Sequence, residues 1–220
     1  MRFHKVLVLV ASLLVGNIHT VHARDLAIAT WNLGWHLSQA EAKAWIRDCG
    51  QPFAFNQSSG LFEPSTTGAT KPGWELRWGR NAKIKWDIAQ KPPCDVFQAN
   101  FHIVPVTEAA YQKRAQQIRD FIGANLNADI LALQEVSGET AVREVLPNNG
   151  ADYEICSFDG FKVQRLAIAW KRALGTSSDC VVEKLLSLPP FGGTRPANQD
   201  HPDPLLAISD HCPLKATLRF

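Results

Sequence analysis

Ala128-Asp129-Ile130-Leu131-Ala132-Leu133-Gln134-Glu135 is the stretch that decides the fold. Four consecutive apolar residues, Ile130 to Leu133, are too few for a helix and have no polar alternation. They read as a buried strand, opened by Asp129 and closed by Gln134-Glu135. Just upstream, Thr107 caps a helical pattern running to about Asn125. Its apolar stripe is Ala110, Tyr111, Ala115, Ile118, Phe121 and Ile122. A helix feeding a buried strand is an α/β unit, and the remaining elements are read around it.

Leu26 to Asn32 alternates as a strand, and Ser38 caps a helix through Asp48 that Cys49-Gly50 ends. Ser137 begins a short helix to Leu146, and Asn148-Asn149-Gly150 turns the chain. Tyr153 to Phe158 and Leu166 to Trp170 read as neighbouring antiparallel strands. A further strand lies around Val181 to Leu185. The last, Leu214 to Phe220, sets Leu214, Ala216, Leu218 and Phe220 on one face.

Gly50 to Val106 is dense in Pro, Gly, Ser and aromatics and has no dominant period. Such a stretch is a functional loop or one pinned by a disulfide. Trp74, Trp78 and Trp86 are interleaved there with Arg77, Arg80, Lys83 and Lys85, a pattern that suits base stacking and phosphate neutralisation. The favoured reading is a loop folded around its own indoles.

Met1 to Ala23 reads as a secretory signal peptide. Arg2 and Lys5 start it, Val6 to Val15 is apolar, and Val21-His22-Ala23 is the cleavage site. The apolar run falls short of the about 20 residues that a membrane span needs, so the expectation is an exported chain, secreted or periplasmic, with no membrane insertion. Removing the peptide takes away two cations and leaves acids and bases in balance. Bulk charge then gives no footprint for nucleic acid. Residues 24–220 are expected to make one domain, a monomer. Export permits disulfides. Cys49–Cys94 and Cys156–Cys180 are the expected pairs, each closing a turn-rich segment, with Cys212 a buried free thiol. No cysteine spacing suits a structural zinc.

Three polar groups end apolar strand-like runs: Asn32 after Leu26–Ala29, Glu135 after Ile130–Leu133, and Asp210-His211 after Leu205–Ile208. A carboxylate leaving a buried strand suits a hard divalent cation, and a histidine beside an aspartate suits proton transfer from water. Taken singly, each has a structural reading: Asn32 as a turn cap, Glu135 as an arginine partner, Asp210 as a turn opener, and His36 nearby as an ordinary loop residue.

Taken in order, Asn32, Leu133-Gln134-Glu135 and Ser209-Asp210-His211 resemble the motifs of the endonuclease/exonuclease/phosphatase superfamily, which includes pancreatic-type deoxyribonucleases. The resemblance implies an α/β fold of two mainly antiparallel sheets packed face to face with flanking helices, a four-layer sandwich. It implies Glu135 as ligand of Mg2+ (or Mn2+), with Asn32 lining the same pocket. Asp210 and His211 would be catalytic, Arg195 would contact phosphate, and Gln164 stands where some members use a glutamate. The substrate it implies is a phosphodiester, with DNA or RNA ahead of lipid or sugar. One departure stands out: the family's middle histidine and its Asp-x-Asn segment have no counterpart after about Ala197, as if a segment were deleted. Asn198, Asp200, His201 and Asp203 read as a polar loop. The alternative to a hydrolase is therefore a non-catalytic remnant or binding module that keeps the fold.

Overall fold

The computed structural model of the chain describes residues 25–79, 81–97, 105–157, 163–182 and 214–219. Its central element is β5 (Ile130–Val136). It runs parallel to β1 (Ile28–His36), which pairs Ile28 with Ile130 and Asn32 with Gln134. It runs antiparallel to β7 (Arg165–Lys171), which itself pairs antiparallel with β6 (Tyr153–Ser157). The order in this four-stranded sheet is β1-β5-β7-β6. Leu131 and Leu133 are fully buried, as a central strand requires. Burying each such leucine is worth about 1.5–3 kcal/mol.

Helices close one face of this sheet. In α1 (Gln39–Gly50) a capping box holds the first turn: the Ser38 side chain accepts from the Glu41 N–H, and Glu41 accepts from the Ser38 N–H. In α2 (Glu108–Phe121) Thr107 accepts from the Ala110 N–H. It ends in a single π turn, Ile122–Leu126, and a left-handed Asn127. With α3 (Glu139–Val145), α2 buries Ala115, Ile118, Ile122, Val142 and Val145 against Leu131, Leu133, Ala167 and Ala169. Ala110 and Phe121, expected in the stripe, are exposed. Phe121 lies edge-on to Trp31 at 5.3 Å.

The stretch expected to be irregular contains a second sheet. β2 (Pro52–Asn56) pairs antiparallel with β3 (Leu61–Pro64) and β4 (Thr70–Pro72) in the order β3-β2-β4. Behind it the chain does fold around its indoles. Trp45 meets Trp74 edge-on at 5.3 Å, and Trp78 meets Trp86 at 5.1 Å. Three indole N–H groups find a carbonyl: Trp45 and Trp86 donate to Pro92 O, and Trp78 donates to Gly73 O. Cys49–Cys94 ties α1 to this lobe, and Lys91 donates to Asp48 beside it.

The fold is thus α/β with two sheets and flanking helices, as the sequence led us to expect. A separate antiparallel pair, β8 (Thr176–Val182) and β9 (Leu214–Arg219), is joined to β6 by Cys156–Cys180. β8 begins earlier than the expected Val181. Both expected disulfides are present. No helix among the described residues is long and apolar enough to cross a membrane.

Candidate functional site

Because β1 and β5 are parallel, their C-terminal ends reach the same rim, and both break the ladder there. Pairing stops at Asn32–Gln134 and resumes at His36–Val136. Within the break, Gly34, Trp35 and Glu135 all take left-handed backbone, with φ of 57°, 55° and 56°. For Trp35 and Glu135 this geometry is unfavourable, and such outliers concentrate where a site has to be held open. A strand that continued regularly would send Glu135 to the face opposite Gln134, but its left-handed turn redirects it.

The side chains at this rim meet. Asn32 Nδ2 donates to Glu135 Oε1 at 3.1 Å. The amide is oriented by the bulge itself, because Gly34 N–H donates to Asn32 Oδ1 at 2.8 Å. Gln134 Nε2 donates to Thr30 Oγ1 at 2.6 Å. Asn32 is exposed and Glu135 half-buried, so the pair faces solvent. Gln164 directly precedes β7, whose first residue pairs with Val136, and this brings it to the same rim.

Beneath the rim lies a buried polar layer that sequence reading missed. His36, read as an ordinary loop residue, is the last residue of β1 and completely buried. Arg114 of α2 donates to His36 Nδ1 at 2.7 Å and also to Leu33 O. The guanidinium lies over the rings of Phe97 and Tyr111. Tyr111 stacks on the imidazole, and its hydroxyl accepts from Leu37 N–H and donates to Leu37 O. Since Nδ1 accepts, the proton sits on Nε2, which has no acceptor among the described residues. Burial, and then the Arg114 charge, push the His36 pKa down to about 3, so it is a neutral structural imidazole at physiological pH. Only its place beside the apolar Leu33 and Leu37 hinted at burial.

The two strand ends are also tied to α1. Ser137 N–H donates to His36 O at 2.8 Å, and the Ser137 hydroxyl donates to Glu41, the capping residue. Arg165 donates to Ser137 O. The rim therefore rests on hydrogen bonds from α1, α2 and β7.

Asp210, His211 and Arg195 lie outside the described residues. Among the described residues no three His, Cys, Asp or Glu side chains gather as a metal-binding group. Glu135 offers a single carboxylate, and Asn32 Oδ1 already accepts from Gly34. Such a donor set is too small for a calcium cage. It fits a magnesium ion that keeps most of its waters and takes further oxygens from a bound phosphate. No family model, no curated protein and no solved structure matches the chain.

Proposed function

We propose that this chain is an exported phosphodiesterase-class protein, nuclease-like in substrate, with Glu135 as its magnesium ligand. The observation that supports this best is the Asn32–Glu135 hydrogen bond between two parallel strand ends, 103 residues apart in sequence, beside strained backbone on both strands. Asn32 fixes the carboxylate and leaves its second oxygen for the ion. The ion, when bound, supplies positive charge where the phosphate gains negative charge. Asp210-His211 would handle the proton and Arg195 the phosphate.

Turnover is expected to be very slow. A catalytic group that acts as a unit loses most of its rate when any member is removed, and this sequence has no counterpart of the Asp-x-Asn segment. The absence of a carboxylate cluster among the described residues favours the second reading, a fold-retaining binding module.

Manganese titration followed by amide line broadening tests the ligand. Signals around Asn32 and Glu135 should broaden in the wild type and not in Glu135→Gln. Equal broadening in both removes Glu135 from the assignment. Plasmid nicking with magnesium should stay near background. Nicking that disappears in both Glu135→Ala and His211→Ala would show that other residues compensate, with Asp200, His201 and Asp203 the first to mutate, and would set aside the binding-module reading.

A further inference from the structure

The two disulfides hold unlike things. Cys49 and Cys94 are both buried, at 0% and 2% exposure, inside the aromatic cluster around Trp45 and Trp74. Cys156 is buried at 1%, in a small patch with Trp170 and Leu174, but Cys180 on β8 is exposed, as is its neighbour Val181. Cys180 belongs to a sheet of its own in which, among the described residues, β8 pairs with β9 alone. A two-stranded sheet by itself is marginal in water. Among the described residues, Cys156–Cys180 is the one disulfide between this pair and the four-stranded sheet, which the main chain joins only through the short turn 172–175.

We propose that Cys156–Cys180 is a redox-cleavable clamp: a dithiol reductant opens it in the folded protein and releases the β8–β9 pair while the four-stranded sheet stays intact. A reductant thiolate attacks the accessible Cys180 sulfur, forming a mixed disulfide and expelling Cys156 as thiolate, which takes a proton. The second thiol of the reductant then attacks its own sulfur in the mixed disulfide and expels Cys180 as a thiol. The reductant becomes a cyclic disulfide, and two electrons and two protons end on the cysteines. Exchange rates depend on access to the attacked sulfur, and Cys49–Cys94 offers none without local opening. The freed Cys156 side chain lies beside Trp170 and Leu174, apolar surroundings that suit a small sulfur group. The remaining sheet keeps its own core: Trp170 stays bonded through Nε1 to Gly175 O at 3.0 Å, within the turn before β8.

The test uses the full exported chain carrying Cys212→Ser, which removes thiol exchange from the fifth cysteine. Under native conditions with dithiothreitol, pulsed alkylation should label Cys156 and Cys180 at least about tenfold faster than Cys49 and Cys94. At that stage amide exchange should accelerate in 176–182 and 214–219 and stay unchanged in 130–136 and 165–171. Cys180→Ser should give the same exchange pattern with no reductant. Equal labelling of both bridges overturns the proposal. So does hairpin protection that survives cleavage, or loss of protection in 130–136 on cleavage or in Cys180→Ser. These readouts do not involve Glu135 or metal.

Discussion

The protein's two larger cores, among the described residues, are built on different rules, and α2 is shared between them. Its Ala115, Ile118 and Ile122 face the sheet, where Leu131, Leu133, Val142, Val145 and Ala167 pack as aliphatic side chains between regular elements. Its Tyr111 faces the lobe, where Trp45, Trp74, Trp78, Trp86 and Phe97 surround a disulfide. Strands and helices satisfy their own backbone polar groups, so their core needs only shape and volume. A chain with short strands and many turns leaves carbonyls unpaired. Here indole N–H groups supply part of the missing bonding, at Pro92 O and Gly73 O, while the rings fill the space. The lobe is thus held by polar-edged aromatics and one covalent tie, the sheet by periodicity.

That contrast breaks most visibly at the tie. Cys49→Ser with Cys94→Ser opens a bridge between residues 45 apart. By chain entropy this should cost about 4 kcal/mol. Amide exchange should rise across 52–97 and stay slow in 130–136. A uniform rise would mean that lobe and sheet are one cooperative unit. Leu131→Ala tests the other core and should cost about 3 kcal/mol, because a fully buried leucine on a central strand leaves a cavity. Denaturant unfolding should show this loss with protection falling in both regions, since the lobe has no support without α1 and α2.

The same contrast explains what the sequence made legible. A central strand shows as an unbroken apolar run, so Ile130–Leu133 could be read directly. Helices with caps such as Ser38 and Thr107 were equally plain. The β2–β4 sheet was hidden because Pro52, Pro64 and Pro72 sit inside its strands at terminal positions, where proline is tolerated but reads as loop. The meeting of Asn32 and Glu135 was legible from two apolar runs ending in polar groups. The ladder break between them was not, since left-handed backbone at Trp35 and Glu135 carries no glycine or asparagine signature. Nor was the Arg114–His36 pair, which depends on how α2 lands against β1.

That pair gives a pH test located beneath the rim. In the folded chain His36 titrates at about 3, and unfolded at the ordinary histidine value of 6.5. Above pH 6.5 neither state holds the proton and His36 contributes no pH dependence. Between 6.5 and 3 the unfolded state binds a proton that the folded state refuses, so stability falls as pH falls. The slope is about 1.4 kcal/mol per unit, or about 2 kcal/mol lost by pH 5. His36→Leu should remove that part of the acid loss. The comparison is the difference between the two pH profiles from 7 to 5, which cancels the carboxylates common to both. Parallel profiles would mean that His36 is not a buried neutral base.

The smallest effect concerns the strain at the site itself. Glu135 takes φ of 56° with a full side chain, a geometry that costs a non-glycine residue about 1–2 kcal/mol. Glycine adopts it freely, so Glu135→Gly should stabilise the protein by about 1 kcal/mol, part of the relief being offset by glycine's greater freedom when unfolded. Glu135→Gln keeps both the backbone conformation and an oxygen able to accept from Asn32 Nδ2, and should change stability by less than about 0.5 kcal/mol. The two variants therefore separate strain from charge. Both lose the carboxylate, and so both should lose manganese broadening, but only the glycine variant should unfold at higher denaturant. Stabilisation by glycine combined with lost ion binding would mean that this rim trades stability for a correctly aimed carboxylate. Destabilisation by glycine would mean that the Asn32–Glu135 contact outweighs the strain, and that the ladder break is set by the Arg114 layer beneath rather than by the carboxylate it displays.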